Sequence, residues 1–441
     1  MRKIVLLVII VSWIIISSLF LSIVQAQEIE RFPPMHEKEN LLLLAAQEGN
    51  LKSVLDLLAA GAPVNTQDEY QRTPLLLALE YHNAYTDYHP NHSEMVAKLV
   101  KILVTAGADV NAREVRFGRT ALMWAAYNQD LESIKALLAA GADVNAGNLD
   151  TINYGKTTLM EAVENTEAVR ILLAAGASVN AHNAVGETAL MLAAAAGKQD
   201  TVKLLLASGA YVNTKTVNGE TALILTIQNS NAGEDERQAE NYQITLKTLL
   251  AAGANVNALD ERLGITALTW AVLQNRIDLL QALIEAGADI NAKNTNNGHI
   301  SDHIQEKFPA TALIAAVIRG ESGIVKALIE AGADLNGKDS KYGMTPLMYA
   351  VEEDQLEVVK LLVKSGAKVN IKDRSGRTAL MRAVAADRQD IVKVLLYNGA
   401  NPKIRSNRGK TALYFANENG YDDKDEILRL LKAASLNMTA P

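Results

Sequence analysis

The chain has no cysteine among its 441 residues. That absence excludes disulfides, thiolate metal sites, iron–sulfur clusters, a cysteine nucleophile and a lipid-modified N-terminal cysteine. Aromatic residues are scarce at 5%, with only 3 Trp. Neither charge dominates: 43 Lys and Arg face 50 Asp and Glu, for a net −7. Such a balance gives no general electrostatic drive toward nucleic acid or anionic lipid. Proline and glycine, at 9 and 27, are too few for a collagen-like or low-complexity chain. Apolar residues are what is plentiful, at 49%. That share excludes a disordered chain, and the length suffices for two or three ordinary domains or one long repeat array.

The one long hydrophobic run stands at the start. Arg2 and Lys3 precede an apolar stretch from Ile4 to Val24, interrupted only by Ser12, Ser17, Ser18 and Ser22, and small residues lead out to Ala26. A basic start, an apolar middle and a small-residue exit predict a secretory signal peptide over residues 1–26. The 21-residue run is also long enough to span a bilayer, so a retained membrane anchor is the alternative. Both readings put the body outside the cytoplasm, because the positive charges stay inside. The expectation is an exported bacterial protein, periplasmic or secreted, or else anchored in the inner membrane and facing the periplasm.

Beyond the leader, the sequence repeats. Gly-Ala recurs at Gly61, Gly107, Gly141, Gly176, Gly209, Gly253, Gly287, Gly332, Gly366 and Gly399, with intervals of 33–35 in six cases and 44–46 in three. Four residues after each of these glycines stands Asn, from Asn65 to Asn370, and only Lys403 breaks the rule. A second landmark is Thr followed by Ala or Pro and then Leu, at Thr73, Thr120, Thr188, Thr221, Thr266, Thr311, Thr345, Thr378 and Thr411, with Thr157 a near match. Two short helices fit between Thr and Gly. The Thr hydroxyl caps the first, and Pro74 and Pro346 suit its first position. Gly ends the second in the left-handed conformation, and Asn supplies hydrogen bonds to the turn.

Thr-Pro-Leu-x-x-Ala and Leu-Leu-x-x-Gly-Ala-Asp-Val-Asn are the motifs by which the chain resembles the ankyrin repeat family, over about residues 40–433. The resemblance implies an all-α solenoid of about eleven helix-turn-helix units with β-turn fingers between them. Residues 27–39 read as a linker and 434–441 as a tail. One departure recurs: the His that usually follows Thr-Pro-Leu in this family is absent throughout, and Met123, Met160, Met191, Met348 and Met381 are its commonest replacements. Methionine keeps the packing and loses the hydrogen bond.

Three insertions interrupt the period. Two, at Tyr81–His92 and around Gly233–Arg237, are expected to lengthen the turn between paired helices; the third, around Asn296–His303, lies in a finger. They read either as tolerated loops or as parts of a partner site. His82, His89 and His92 share the first insertion and are the weak candidates for metal. Their spacing fits no standard zinc pattern, so no metal is assigned. His299 and His303 align only if their finger is helical. Gly155-Lys156-Thr157 and Gly409-Lys410-Thr411 mimic the end of a phosphate loop but lack its preceding Gly. No catalytic motif occurs, so no enzyme activity, cofactor or small-molecule substrate is expected.

A stack of this kind binds along the face made by fingers and first helices. The position four after the capping Thr varies along the array and includes Trp124, Trp270, Tyr349, Arg382 and Phe415, residue types that dominate interface hot spots. Packing between neighbouring first helices is the competing role for these side chains. Finger residues Tyr70, Phe117, Tyr154, Phe308 and Tyr342 extend the same candidate surface. The expected function is recognition of an unidentified protein partner, with no nucleic acid. A membrane-anchored scaffold and an effector delivered to another cell are the alternatives.

Overall fold

The computed structural model describes residues 37–80, 92–148, 155–230, 235–294, 311–418 and 424–437. It holds 22 helices in those residues, arranged as consecutive short pairs. The chain divides into two compact units, Met1–Thr158 and Leu159–Pro441.

Each landmark does a definite job. Thr120, Thr188, Thr221, Thr266, Thr311, Thr345 and Thr378 each cap a first helix by accepting from the backbone N–H three residues on. Most first helices have seven residues and most second helices nine, too short to persist alone in water, so stacking sustains them. The glycine after each second helix has φ between 83 and 97°. A Cβ there would meet nothing within 4 Å, so the requirement is backbone conformation and not space.

Asn does more than brace its own turn. In the N-terminal unit the Asn65 amide donates to the Gly107 carbonyl at 3.2 Å and accepts from the Asp109 N–H at 2.7 Å. Asn111 repeats this on Gly141 and Asp143. In the C-terminal unit Asn180, Asn213 and Asn370 do the same to Gly209 and Tyr211, Gly253 and Asn255, and Gly399 and Asn401. The amide therefore fastens one repeat to the turn of the next. Lys403 can replace Asn because no further Gly-Ala turn follows it.

The cores lie between the helix layers. Leu75, Leu79, Leu99, Leu103, Leu122, Ile134 and Leu137 are wholly buried in the N-terminal unit, and Leu205, Leu246, Leu283, Leu328, Leu362 and Leu395 in the C-terminal one. Each such side chain contributes about 2 kcal/mol by leaving water. Met123, Met191, Met348 and Met381 are buried with them, which accounts for an apolar residue at that site. Fingers are narrow: Leu259–Asp260 pairs antiparallel with Ile265–Thr266, and isolated bridges join Arg113 to Thr120 and His182 to Thr188.

Helix extends beyond the bounds expected for the array at both ends of the described residues. The first described helix is Glu37–Gln47, which starts within the stretch read as linker, and the last, Lys424–Asn437, passes 433. The second helices that follow the inter-helix insertions are lengthened: His92–Thr105 has 14 residues and Glu236–Ala251 has 16. Asp235 caps the latter by accepting from the Gln238 N–H, ahead of good helix formers. Each lengthened helix lays a large side chain over a glycine of the preceding repeat, Met95 over Gly49 and Tyr242 over Gly197. The Tyr242 hydroxyl also donates to the Ala195 carbonyl at 3.1 Å.

Candidate functional site

In the N-terminal unit the candidate surface is built on two fingers. Asp68 closes the first by accepting from the Tyr70 and Arg72 N–H groups at 2.9 and 2.8 Å. Arg72 pairs with Asp68 and Glu80 and lies 5.0 Å over the Tyr70 ring. Glu114, 4% exposed, closes the second finger by accepting from the Phe117 and Arg119 N–H groups. The Val115 N–H donates to the Tyr70 carbonyl, so the two fingers lie edge to edge.

Next to that second finger is a stack. The Arg119 guanidinium lies 4.5 Å over Trp124, 5.3 Å over Tyr127 and 5.6 Å over Phe117. Trp124 meets Tyr127 edge to face at 6.0 Å. Trp124 is only 8% exposed, so it is packed beneath Arg119 and is not an open groove residue. Tyr70, Tyr127 and Val115 are the exposed apolar groups around it.

In the C-terminal unit the last three fingers bring together four of the sequence-predicted residues. Asp339 accepts from the Lys341, Tyr342 and Met344 N–H groups at 2.6–2.7 Å. Tyr349 is half-buried. Burial, and then the Asp339 carboxylate to which its hydroxyl donates, hold its phenol far above the ordinary tyrosine range. Tyr342 is exposed at the finger tip under Lys341.

Arg382 bridges Asp373 and Glu352. Burial alone would raise the Asp373 carboxyl, but hydrogen bonds from Ser375, the Arg377 N–H and Arg382 outweigh it and hold the group below the usual carboxylate range. Phe415 is buried under Arg377 at 4.9 Å and beside Tyr414. Trp270 stands apart from this group, half-buried, on the helix Ala267–Leu273. The indole N–H groups of Trp124 and Trp270 find no acceptor among the described residues.

Position four after Thr is therefore partly core: Trp124 and Phe415 are buried, Arg382 is tied down by ion pairs, and among the described residues the exposed members of the predicted set are Tyr70 and Tyr342. Tyr154, Phe308, His82 and His89 lie outside the described residues, as do residues 1–36. Among the described residues no group of three or more His, Asp or Glu is placed to hold a metal ion. No helix there is long and apolar enough to cross a membrane.

One set of positions was missed from the sequence. Asp68, Asn183, Thr216, Asp373 and Ser406 stand five residues before the capping Thr, and Glu114, Asp260 and Asp339 six before it. Each accepts from finger N–H groups. The offset was available as a signal, but the residue type changes from finger to finger. Asp260, fully buried, is the one pushed upward, chiefly by burial and also by the nearby Glu220 charge.

The geometry is that of an ankyrin repeat protein, and the chain belongs to that family. The family described as ankyrin repeats (3 copies) matches residues 42–148, 89–183, 159–234, 190–294, 295–373 and 369–440. Ankyrin repeats generally mediate protein–protein interaction and are typically not enzymes. Among solved structures, the human ASB11 ankyrin repeat domain is 24% identical, with 56% of this chain and 98% of that one covered and a TM-score of 0.42. The ankyrin repeat domain of Bcl-3, a member of the IkappaB protein family, is 26% identical over 56% and 99%, with a TM-score of 0.45. No curated protein matches the sequence.

Proposed function

We propose that this chain is an exported ankyrin repeat scaffold that binds another protein through its fingers and first helices. The observation that carries the reading is the finger surface of the N-terminal unit. There Tyr70, Tyr127 and Val115 are 49, 48 and 62% exposed on a frame fixed by Asp68, Glu114 and Arg119. Exposed aromatic side chains held rigidly bind at low entropic cost, which is the character of interface anchors. A specific interface of this kind buries about 1,200–2,000 Å² in total. Export rests on the basic start and apolar run of residues 1–26.

Crosslinked capture from a native cell envelope tests binding. Tyr70→Ala with Tyr127→Ala should lose a partner that the unaltered protein captures, while its helicity is unchanged. Capture that is equal for both would remove the finger surface from the reading. Sequencing the mature N-terminus tests export: Gln27 as the first residue means a cleaved signal, whereas an intact Met1 on membrane-bound protein means an anchor. Intact Met1 on cytoplasmic protein would refute export.

A further inference from the structure

Charge is distributed unevenly along this chain. Residues 357–410 hold thirteen Lys or Arg and four Asp or Glu, in a protein whose net charge is −7. Eight of those cations lie on two neighbouring fingers: Lys368, Lys372, Arg374 and Arg377 on one, and Lys403, Arg405, Arg408 and Lys410 on the next. The two fingers are fixed side by side, since the Asn407 N–H donates to the Ser375 carbonyl, and the first is tied to the finger before it by the Arg374 N–H donating to the Tyr342 carbonyl. Asn407 adds a side-chain bond to the Arg374 carbonyl at 2.9 Å.

The nearby carboxylates are already committed. Asp373 and Glu352 are held by Arg382, and Glu418 by Lys410. By contrast, Lys368, Lys372, Arg374, Lys403, Arg405 and Arg408 are exposed and have no carboxylate partner among the described residues. What faces water on these fingers is therefore positive charge on a rigid frame.

We propose that these two fingers bind an acidic segment of a protein partner, one rich in Asp and Glu. The inference rests on the interaction reading above and specifies the partner's chemistry at a place distinct from the N-terminal aromatic surface. Arg374, Arg405 and Arg408 offer planar forks that match carboxylates. Nucleic acid fits less well. The exposed rings beside these fingers, Tyr342 and Tyr414, are capped by Lys341 at 5.0 Å and Lys410 at 4.3 Å, so they offer no open platform on which bases stack; the uncapped Tyr397 ends the second helix Gln389–Tyr397 and is not on a finger.

The test is fluorescence anisotropy of a labelled poly-glutamate peptide with the full-length protein at physiological ionic strength. One variant combines Lys372→Glu, Arg374→Glu, Arg405→Glu and Arg408→Glu. A charge-matched control combines Lys247→Glu, Lys326→Glu, Lys360→Glu and Lys364→Glu on second helices. Both are first checked for unchanged thermal unfolding. The finger variant should bind about tenfold more weakly or worse, and the control within about twofold of the unaltered protein. Equal loss in both would overturn the location. Tighter binding of a labelled oligo-dT or of phosphatidylglycerol vesicles than of the peptide would overturn the partner class. No peptide binding at all would overturn the proposal, while the capture experiment with Tyr70 and Tyr127 would still decide the wider reading on its own.

Discussion

Arg119 in the N-terminal unit lies over three aromatic rings, whereas Arg382 in the C-terminal unit is gripped by two carboxylates. Arg119 ends a finger and Arg382 stands on a first helix, Ala379–Ala385, and both are largely removed from water. The surface each leaves behind is different. Around Arg119 the exposed groups are Tyr70, Tyr127 and Val115, an apolar and aromatic set. Around Arg382 the acids are consumed, and lysines and arginines remain that have no carboxylate partner among the described residues. The same repeat grammar thus yields two surfaces suited to different chemistries, because the groups that hold a finger determine what is left to face a partner.

The largest effect should come from removing the ion-paired arginine. Arg382→Ala leaves the Asp373 carboxylate, whose side chain is 1% exposed, without its cation. Breaking a buried pair in this way costs about 3 kcal/mol, read as a fall in the denaturation midpoint of the C-terminal repeats. Arg119→Ala removes stacking and stem packing worth about 1–2 kcal/mol. It should also shift Trp124 emission to longer wavelength, a response that Arg382→Ala lacks. An unmoved Trp124 emission would mean that the arginine does not shield the indole.

Acid should separate the regions next. Asp373 has its folded value depressed, so its contribution is present above the unfolded carboxylate range and is lost as pH falls through the lower folded value. Asp260 has the opposite sign: its folded value is raised, so its contribution is greatest in acid and disappears as pH rises through that value. A stability titration from neutral pH into acid should show Asp373→Asn flattening the low-pH loss, and Asp260→Asn removing a gain that precedes it.

The smallest effects concern the inter-helix turns. Gln129 in the N-terminal unit and Asp387 in the C-terminal unit have φ of 59 and 56°. Gln129→Gly should stabilise by about 1 kcal/mol. Asp387→Gly should gain roughly half as much, because aspartate tolerates that conformation better. Equal gains in thermal unfolding would show that side-chain type does not matter at this turn.

Most of the fold was legible because its signals are fixed identities at fixed intervals. Thr at a helix start, Gly after a helix and Asn four residues later each have a local reason to be there. The sequence reading placed Asn within its own turn, but the partner of its amide is in the following repeat, a contact that appears only once the repeats stack. The finger acceptors escaped for a different reason: glutamate at 114, asparagine at 183 and serine at 406 share a hydrogen-bonding role and not a name. Lengthened helices were hidden by reading departures from the period as loop. The candidate surface was half legible, since Trp124 looks like a hot-spot residue by type and only its burial under Arg119 shows that it is structural.

The asparagine clamps have a direction. Within each unit every clamp reaches forward, from an amide side chain to the backbone of the repeat that follows. The finger bonds run the other way: the N–H groups of Val115, Val217, Arg374 and Asn407 donate back to the carbonyls of Tyr70, Val185, Tyr342 and Ser375. Each junction is thus laced from both sides, by the earlier repeat's side chain at the turn and by the later repeat's backbone at the finger. A repeat cut from either end would hand these surface groups to water and uncover the apolar helix layer that stacking had hidden, so an array shortened at either end needs a new outermost unit with a polar outer face.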